Sequence, residues 1–161
     1  MVLYSQRFMQ TNTSHVVQVS SYYPPHLGGL ERVAQEVSEQ LAQDGCSVTI
    51  LTSDIGPKAI QKTENNRNVI VNRLWSFEFA HTPIIPSLLW RLLSVRKPVI
   101  YHLHLAQAYV PEMVWLASKL RGIPYVVHFH LDVEPSGKFG FIFIWWKRWI
   151  QPIIIHGAAQ V

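Results

Sequence analysis

The stretch that constrains this chain most is Val16-Val17-Gln18-Val19, followed by a loop carrying Pro24-Pro25 and then Gly28-Gly29-Leu30-Glu31. Three β-branched valines suit a strand covered on both faces. Beyond Gly29 the apolar period changes, with Leu30, Val33, Ala34, Val37 and Leu41 on one face of a helix. Gly45 is placed to end that helix, and Val48-Thr49-Ile50-Leu51-Thr52 predicts a second buried strand. Residues 16–52 therefore predict one βαβ unit with parallel strands. A glycine pair at such a strand-to-helix turn lets backbone approach a ligand closely. The helix start beside it offers free N–H groups and a positive dipole end, which suit a phosphate. The same pair also serves as a plain tight turn. It follows neither the G-x-G-x-x-G nor the G-x-x-x-x-G-K-[ST] spacing.

The rhythm continues downstream. Residues 69–74 predict a third strand, which 75–79 can extend, with Arg73 as a solvent-facing residue at its end. Residues 53–68, with Gly56-Pro57 and Asn65-Asn66, read as a surface loop. Pro83 and Pro86 mark a break before a short helix at 88–93. Residues 99–104 and 124–130 predict strands four and five, separated by a helix marked by Val110, Met113, Val114, Ala117 and Leu120 and closed by Gly122. Alternating strands and helices predict an α/β fold, a doubly wound parallel sheet of Rossmann-like type.

The strand ends carry the chemistry. His102 and His104 alternate on strand four and so share a face, and His128 and His130 repeat the pattern on strand five. Ligands of open α/β sheets bind outside the carboxyl ends of the strands, where the glycine pair and both His-x-His pairs fall. Alternate histidines on a strand can also share a zinc ion, but no cysteine or carboxylate completes an evident set, so no metal is expected.

Composition narrows the partners. At 161 residues, with 48% hydrophobic and 15% charged residues, the chain has one domain's worth of core-forming sequence. Residues 1–14 read as a flexible tail without the apolar core of a signal peptide, leaving 15–161 as the domain. A single cysteine fits a reducing, cytoplasmic location. Residues 88–161 hold eight Lys/Arg against three Asp/Glu. Those basic residues form no known nucleic-acid module with stacking aromatics, so an anionic membrane surface at the inner face is the better partner. Residues 139–155 are strongly apolar, yet Lys147, Arg148 and Pro152 argue against a transmembrane helix. They fit either a core helix or an interfacial helix with Trp145, Trp146 and Trp149 at the headgroups.

The string from Ser21 to Val33, followed by Leu41 to Thr52, resembles the opening of retaining glycosyltransferase family 4, "P-x-x-G-G-[IV]-E" and then "L-A-x-x-G-H-x-V-x-V-x-T". Cys46 stands where that family usually has His. Residues 99–104 resemble its "D-[VI]-[VI]-H-x-H" strand without the Asp, and 124–130 its "P-x-V-x-T-x-H", with His128 replacing the Thr. The resemblance implies the amino-terminal, acceptor-side half of a GT-B enzyme, in which two Rossmann-like domains enclose the active site. It implies that Gly28 and Gly29 offer N–H groups to the donor diphosphate and that His130 lies beside the transferred sugar. His102, His104 and His128 are weaker candidates for sugar or acceptor contacts. Glu31 is either a first-turn dipole partner or a contact to acceptor hydroxyls. The second domain, with its E-x7-E motif and most nucleotide contacts, lies outside the resemblance and has to be supplied in cis or in trans. The family is generally metal-independent, in keeping with the lack of a D-x-D motif here.

The sequence-level expectation is therefore a hexosyltransferase-type domain. It would transfer a sugar from a nucleotide-diphospho-sugar to a glycan or lipid-linked acceptor with retention, without cofactor or metal, and would be inactive by itself. Two alternatives stand beside it. One is a non-catalytic truncated or split module that binds a glycolipid or partner chain. The other is a dinucleotide-dependent oxidoreductase, disfavoured because G-x-G-x-x-G and an acidic residue on the second strand are both missing.

Overall fold

The valines of β1 (His15–Val19) lie in the middle of the sheet, where both faces are covered. The computed structural model describes residues 15–56, 63–66, 68–80, 82–130 and 140–161, so the expected tail at 1–14 falls outside the described residues. From β1 the chain runs through α1 (Gly29–Gln43) to β2 (Ser47–Ser53), β3 (Thr63–Asn66) and β4 (Val69–Leu74). After these come β5 (Phe77–Phe79), β6 (Thr82–Ile84), α2 (Leu88–Leu93), β7 (Ile100–Leu105), α3 (Val110–Arg121), β8 (Tyr125–Phe129) and α4 (Gly140–Gly157). The main sheet has the order β3-β4-β2-β1-β7-β8, parallel except for the β3–β4 pair. This is the doubly wound, Rossmann-like α/β fold expected from the sequence. The order reverses between β1 and β7, so the crevice at their carboxyl ends is where such a sheet receives a ligand.

Strand alternation sends side chains into two separate cores. Val17, Val19, Leu51, Tyr101, Leu103, Leu105, Tyr125 and Val127 pack with residues of α2, α3 and α4 on one face. Val48, Ile50, Val69 and Val71 pack with Tyr23 and Ala34 of the α1 side on the other. Each fully buried large apolar side chain contributes roughly 1.5–3 kcal/mol. Inside the fold, Gln18 Nε2 donates to the Ala34 carbonyl at 2.6 Å and Tyr101 Oη to the Leu92 carbonyl at 2.8 Å. The Tyr125 hydroxyl donates to the Ile154 carbonyl, and the Trp146 indole N–H to the Glu112 carboxylate, which joins α4 to the rest.

Helix α1 departs in detail from its sequence reading. Its deepest stripe is Glu31, Ala34 and Ser38, while Leu30, Val33, Val37 and Leu41 are only half-buried. The small residues bring the helix close to the sheet, and Ser38 pairs with the Tyr23 hydroxyl at 3.0 Å. The helix ends where Gly45 takes φ 90°, a conformation costly for any residue with a Cβ.

Three expectations are corrected. Part of the stretch read as a loop at 53–68 is an edge strand, β3, antiparallel to β4; its sequence Thr-Glu-Asn-Asn has no apolar alternation to reveal it. Residues 77–79 do not extend β4. They pair with β6 in a hairpin of their own, after Asp54 takes two hydrogen bonds from Ser76 at 2.9 and 2.7 Å. Arg73 does not face solvent: its side chain is 2% exposed, bonds Glu64 at 2.8 Å and donates to the Pro24 carbonyl. It thereby ties the edge of the sheet to the loop after β1. Arg73→Ala should lower the unfolding free energy by about 2 kcal/mol. This would be read from the urea midpoint at unchanged m value. A change below about 0.5 kcal/mol, the range of ordinary surface substitutions, would show that the guanidinium anchors nothing.

Candidate functional site

The loop after β1 is held by its own side chains. Ser20 Oγ donates to the Tyr22 carbonyl at 2.7 Å, and the Tyr22 ring stacks on His26 at 4.4 Å between centroids. His26 Nδ1 lies 2.9 Å from Glu31 Oε1, so the first-turn carboxylate folds back over the loop. Glu31 is 6% exposed. A Cβ on Gly28 would fall 2.1 Å from Glu31 Oε2. The backbone of Gly28 is extended, which any residue adopts, so a Cβ there would require only that the Glu31 carboxylate shift away. Gly29 differs, because a Cβ there would meet no atom within 4 Å. Gly28, the residue before the first turn of α1, has no side chain to make a capping hydrogen bond.

Beside this loop, at the carboxyl ends of β7 and β8, four imidazoles form one layer. The register sets His104 against His128, and strand alternation brings His102 and His130 to the same face. Ring centroids lie 4.7 Å apart for His102 and His104, 4.9 Å for His104 and His130, 5.3 Å for His104 and His128, and 4.4 Å for His128 and His130. His104 Nδ1 and His130 Nε2 share a hydrogen bond at 2.6 Å, with one of the two rings carrying the proton. His104 is 1% exposed, and its Nε2 has no hydrogen-bond partner among the described residues.

Burial and mutual repulsion keep these rings neutral. Burial, then the neighbouring His128 and His130, pushes His102 down to about 3. Burial first, and His128 second, lowers His130 to about 4. His104 is held well below the usual histidine range by burial and by the other three rings, and burial lowers His128. At neutral pH the layer thus presents N–H donors and nitrogen lone pairs without net charge. Such groups can hydrogen-bond sugar hydroxyls or phosphate oxygens, or ligate a soft or borderline metal ion.

The structure brings together what the spacing suggested: Gly28, Gly29, His102, His104, His128 and His130 lie along the carboxyl edge of β1, β7 and β8, flanking the crevice where the strand order reverses. It withholds Glu31, whose carboxylate is engaged by His26 and whose oxygens crowd Gly28. Tyr22 and His26 shape the loop, and the sequence reading passed over both. Their only signal is an aromatic four residues ahead of a histidine that is itself five ahead of an acid.

A sequence profile of Glycosyltransferase Family 4 matches residues 27–161. Among solved structures, sucrose-phosphate synthase from Thermosynechococcus elongatus is similar, with a TM-score of 0.54 and 14% identity over 90% of this chain. The chain spans 41% of that protein, so the likeness is to the fold of one part of it. No curated protein sequence matches significantly. With the family's profile covering the glycine loop, the histidine edge and every strand from β2 onward, this chain belongs to Glycosyltransferase Family 4.

Proposed function

We propose that this domain is the acceptor-side half of a retaining, hexosyltransferase-type enzyme that uses a nucleotide-diphospho-sugar and a glycan or lipid-linked acceptor. The observation that carries the reading is the meeting, at the reversal point of the sheet, of an uncapped helix start at Gly29 with a histidine edge, in a chain of this family. The first amides of α1 bind the departing diphosphate, where their fixed partial charges stabilise the negative charge that develops as the glycosidic bond breaks. His130 hydrogen-bonds the transferred sugar; when the diphosphate arrives its negative charge raises the ring's proton affinity, and the imidazole then donates to the leaving group. No metal enters the transfer step in this reading, which rests on the family resemblance. The partner domain that grips the nucleotide acts in cis or in trans. Glu31 serves the loop, and His102 and His104 back the two outer histidines.

Helix α4 supports a peripheral membrane role at the inner face, in the cytoplasm. One face, with Phe143, Trp146, Ile150 and Ile154, packs into the core. The other exposes Phe141, Ile144, Trp145, Trp149 and Ile153 beside Arg148. No helix among the described residues is long and apolar enough to cross a membrane. An apolar face beside a basic residue, in a half-chain rich in Lys and Arg, suits an anionic lipid surface.

Three outcomes follow from this reading. His130→Ala in the two-domain enzyme should cut kcat by roughly 10²–10³ while the domain stays folded. Wild-type turnover would sink the assignment and favour a module that binds without transferring; His128→Thr should be much milder. The glycines separate fold from function. Gly28→Ala should displace the Glu31 carboxylate from His26 and cost about 1 kcal/mol of stability. Gly29→Ala should leave stability within about 0.5 kcal/mol yet weaken binding of a nucleoside diphosphate, and unchanged affinity would place the diphosphate elsewhere. Finally, the chain should bind vesicles containing phosphatidylserine and release them in high salt, because each basic residue near such a surface contributes about 1 kcal/mol. Equal binding to neutral vesicles, or none to either, would refute the membrane role.

A further inference from the structure

We propose that His104, His128 and His130 form a binding site for one zinc-class divalent ion, with a fourth position open to solvent. The three residues each offer a ring nitrogen, and these atoms all lie within 4.8 Å of one another. A tetrahedral zinc site with bonds of about 2.0–2.1 Å sets its ligand nitrogens about 3.3 Å apart. The His104–His130 pair, now at 2.6 Å, has to open slightly and His128 has to tilt inward. For His104 and His128 those are ring movements, because the β7–β8 register holds their backbones side by side, while His130 follows the last residue of β8.

The geometry also shows what an ion would repair. Three neutral imidazoles face one another and only one hydrogen bond joins them. Lone pairs directed at each other repel unless a proton or a cation stands between them. His102 stacks behind His104 at 4.7 Å and limits its rotation, as a supporting shell does at a metal centre.

The donor set selects the ion. Three imidazoles suit zinc, nickel and copper, whereas magnesium and calcium require oxygen ligands. Three protein ligands with an open position leave room for water, and the half-buried His128 and His130 give solvent a path. On the transferase reading, an ion here occupies the nitrogens assigned to the sugar, so zinc and donor compete. The site itself stands on the histidine geometry and survives failure of that reading.

The test is titration of the untagged 161-residue chain with zinc chloride, followed by calorimetry, with cobalt(II) as a spectroscopic stand-in. One zinc per chain at micromolar affinity or tighter is expected, with the intense visible bands of four-coordinate cobalt and no heat from magnesium. His128→Ala and His130→Ala should each weaken zinc at least about 10–100-fold, the loss already seen when mere second-sphere partners are removed. His156→Ala, whose exposed ring bonds only the Pro152 carbonyl among the described residues, should bind as the wild type does. Zinc should also raise the melting temperature of the wild type and of His156→Ala but not of the two cluster variants. Absent binding, or affinity lost equally in His156→Ala, would overturn the site. So would cluster variants that are folded by circular dichroism and bind like wild type.

Discussion

The fold depends on the burial of β1 from both sides. Val17 and Val19 point into one core and Gln18 into the other, and all three are fully buried. Gln18 spans the gap to α1 by donating to the Ala34 carbonyl, a helix group that also serves the helix's own ladder. A central strand of this kind needs helices on opposite faces, and the chain supplies α1 on one and α2, α3 and α4 on the other. Because β1 is the strand from which the chain departs toward β2 and beside which it later returns as β7, its carboxyl end is also the mouth of the crevice. The buried strand and the site are therefore one constraint seen twice.

At that mouth the electrostatics are unusual for a surface expected to meet phosphate. The nearest acid in sequence to the glycine pair, Glu31, has its carboxylate 2.9 Å from His26 Nδ1 and turned back over the loop. The four imidazoles have no carboxylate bonded to them among the described residues, and they suppress one another's protonation. The resulting edge is polar and uncharged. Neutral donors and acceptors of this kind can hold hydroxyls or an ion without a counter-charge. The same absence of counter-charge leaves buried nitrogen lone pairs with nothing to bind.

Helix α4 resolves a question that hydropathy alone left open. Its inner face packs into the core, and its opposite face leaves apolar side chains exposed. Trp146 is buried and bonded to Glu112, while Trp145 and Trp149 stand in the open. A helix apolar all round reads as buried in any periodicity argument. Only a neighbour, here α3 with its inward Glu112, decides which side is covered.

Much of this protein was legible from local pattern. The valines of β1, the change from period two to 3.6 after Gly29, and the two His-x-His strand ends settled the α/β class. They also placed the candidate residues at one edge of the sheet, because those signals follow from backbone geometry that neighbouring residues share. Three features required the tertiary structure, each decided by residues far apart in the chain. Thr63–Asn66 became a strand because β4 offered an open edge, not because its polar sequence favours one. Arg73 became an interior anchor because Glu64 and the Pro24 carbonyl converge on it. Glu31, free on paper to touch a ligand, was claimed by His26 across the turn, and the four histidines became one cluster only because β7 and β8 pair in a register that sets His104 against His128. Sequence determines periodicity and residue chemistry locally, whereas long-range pairing decides which of those groups meet.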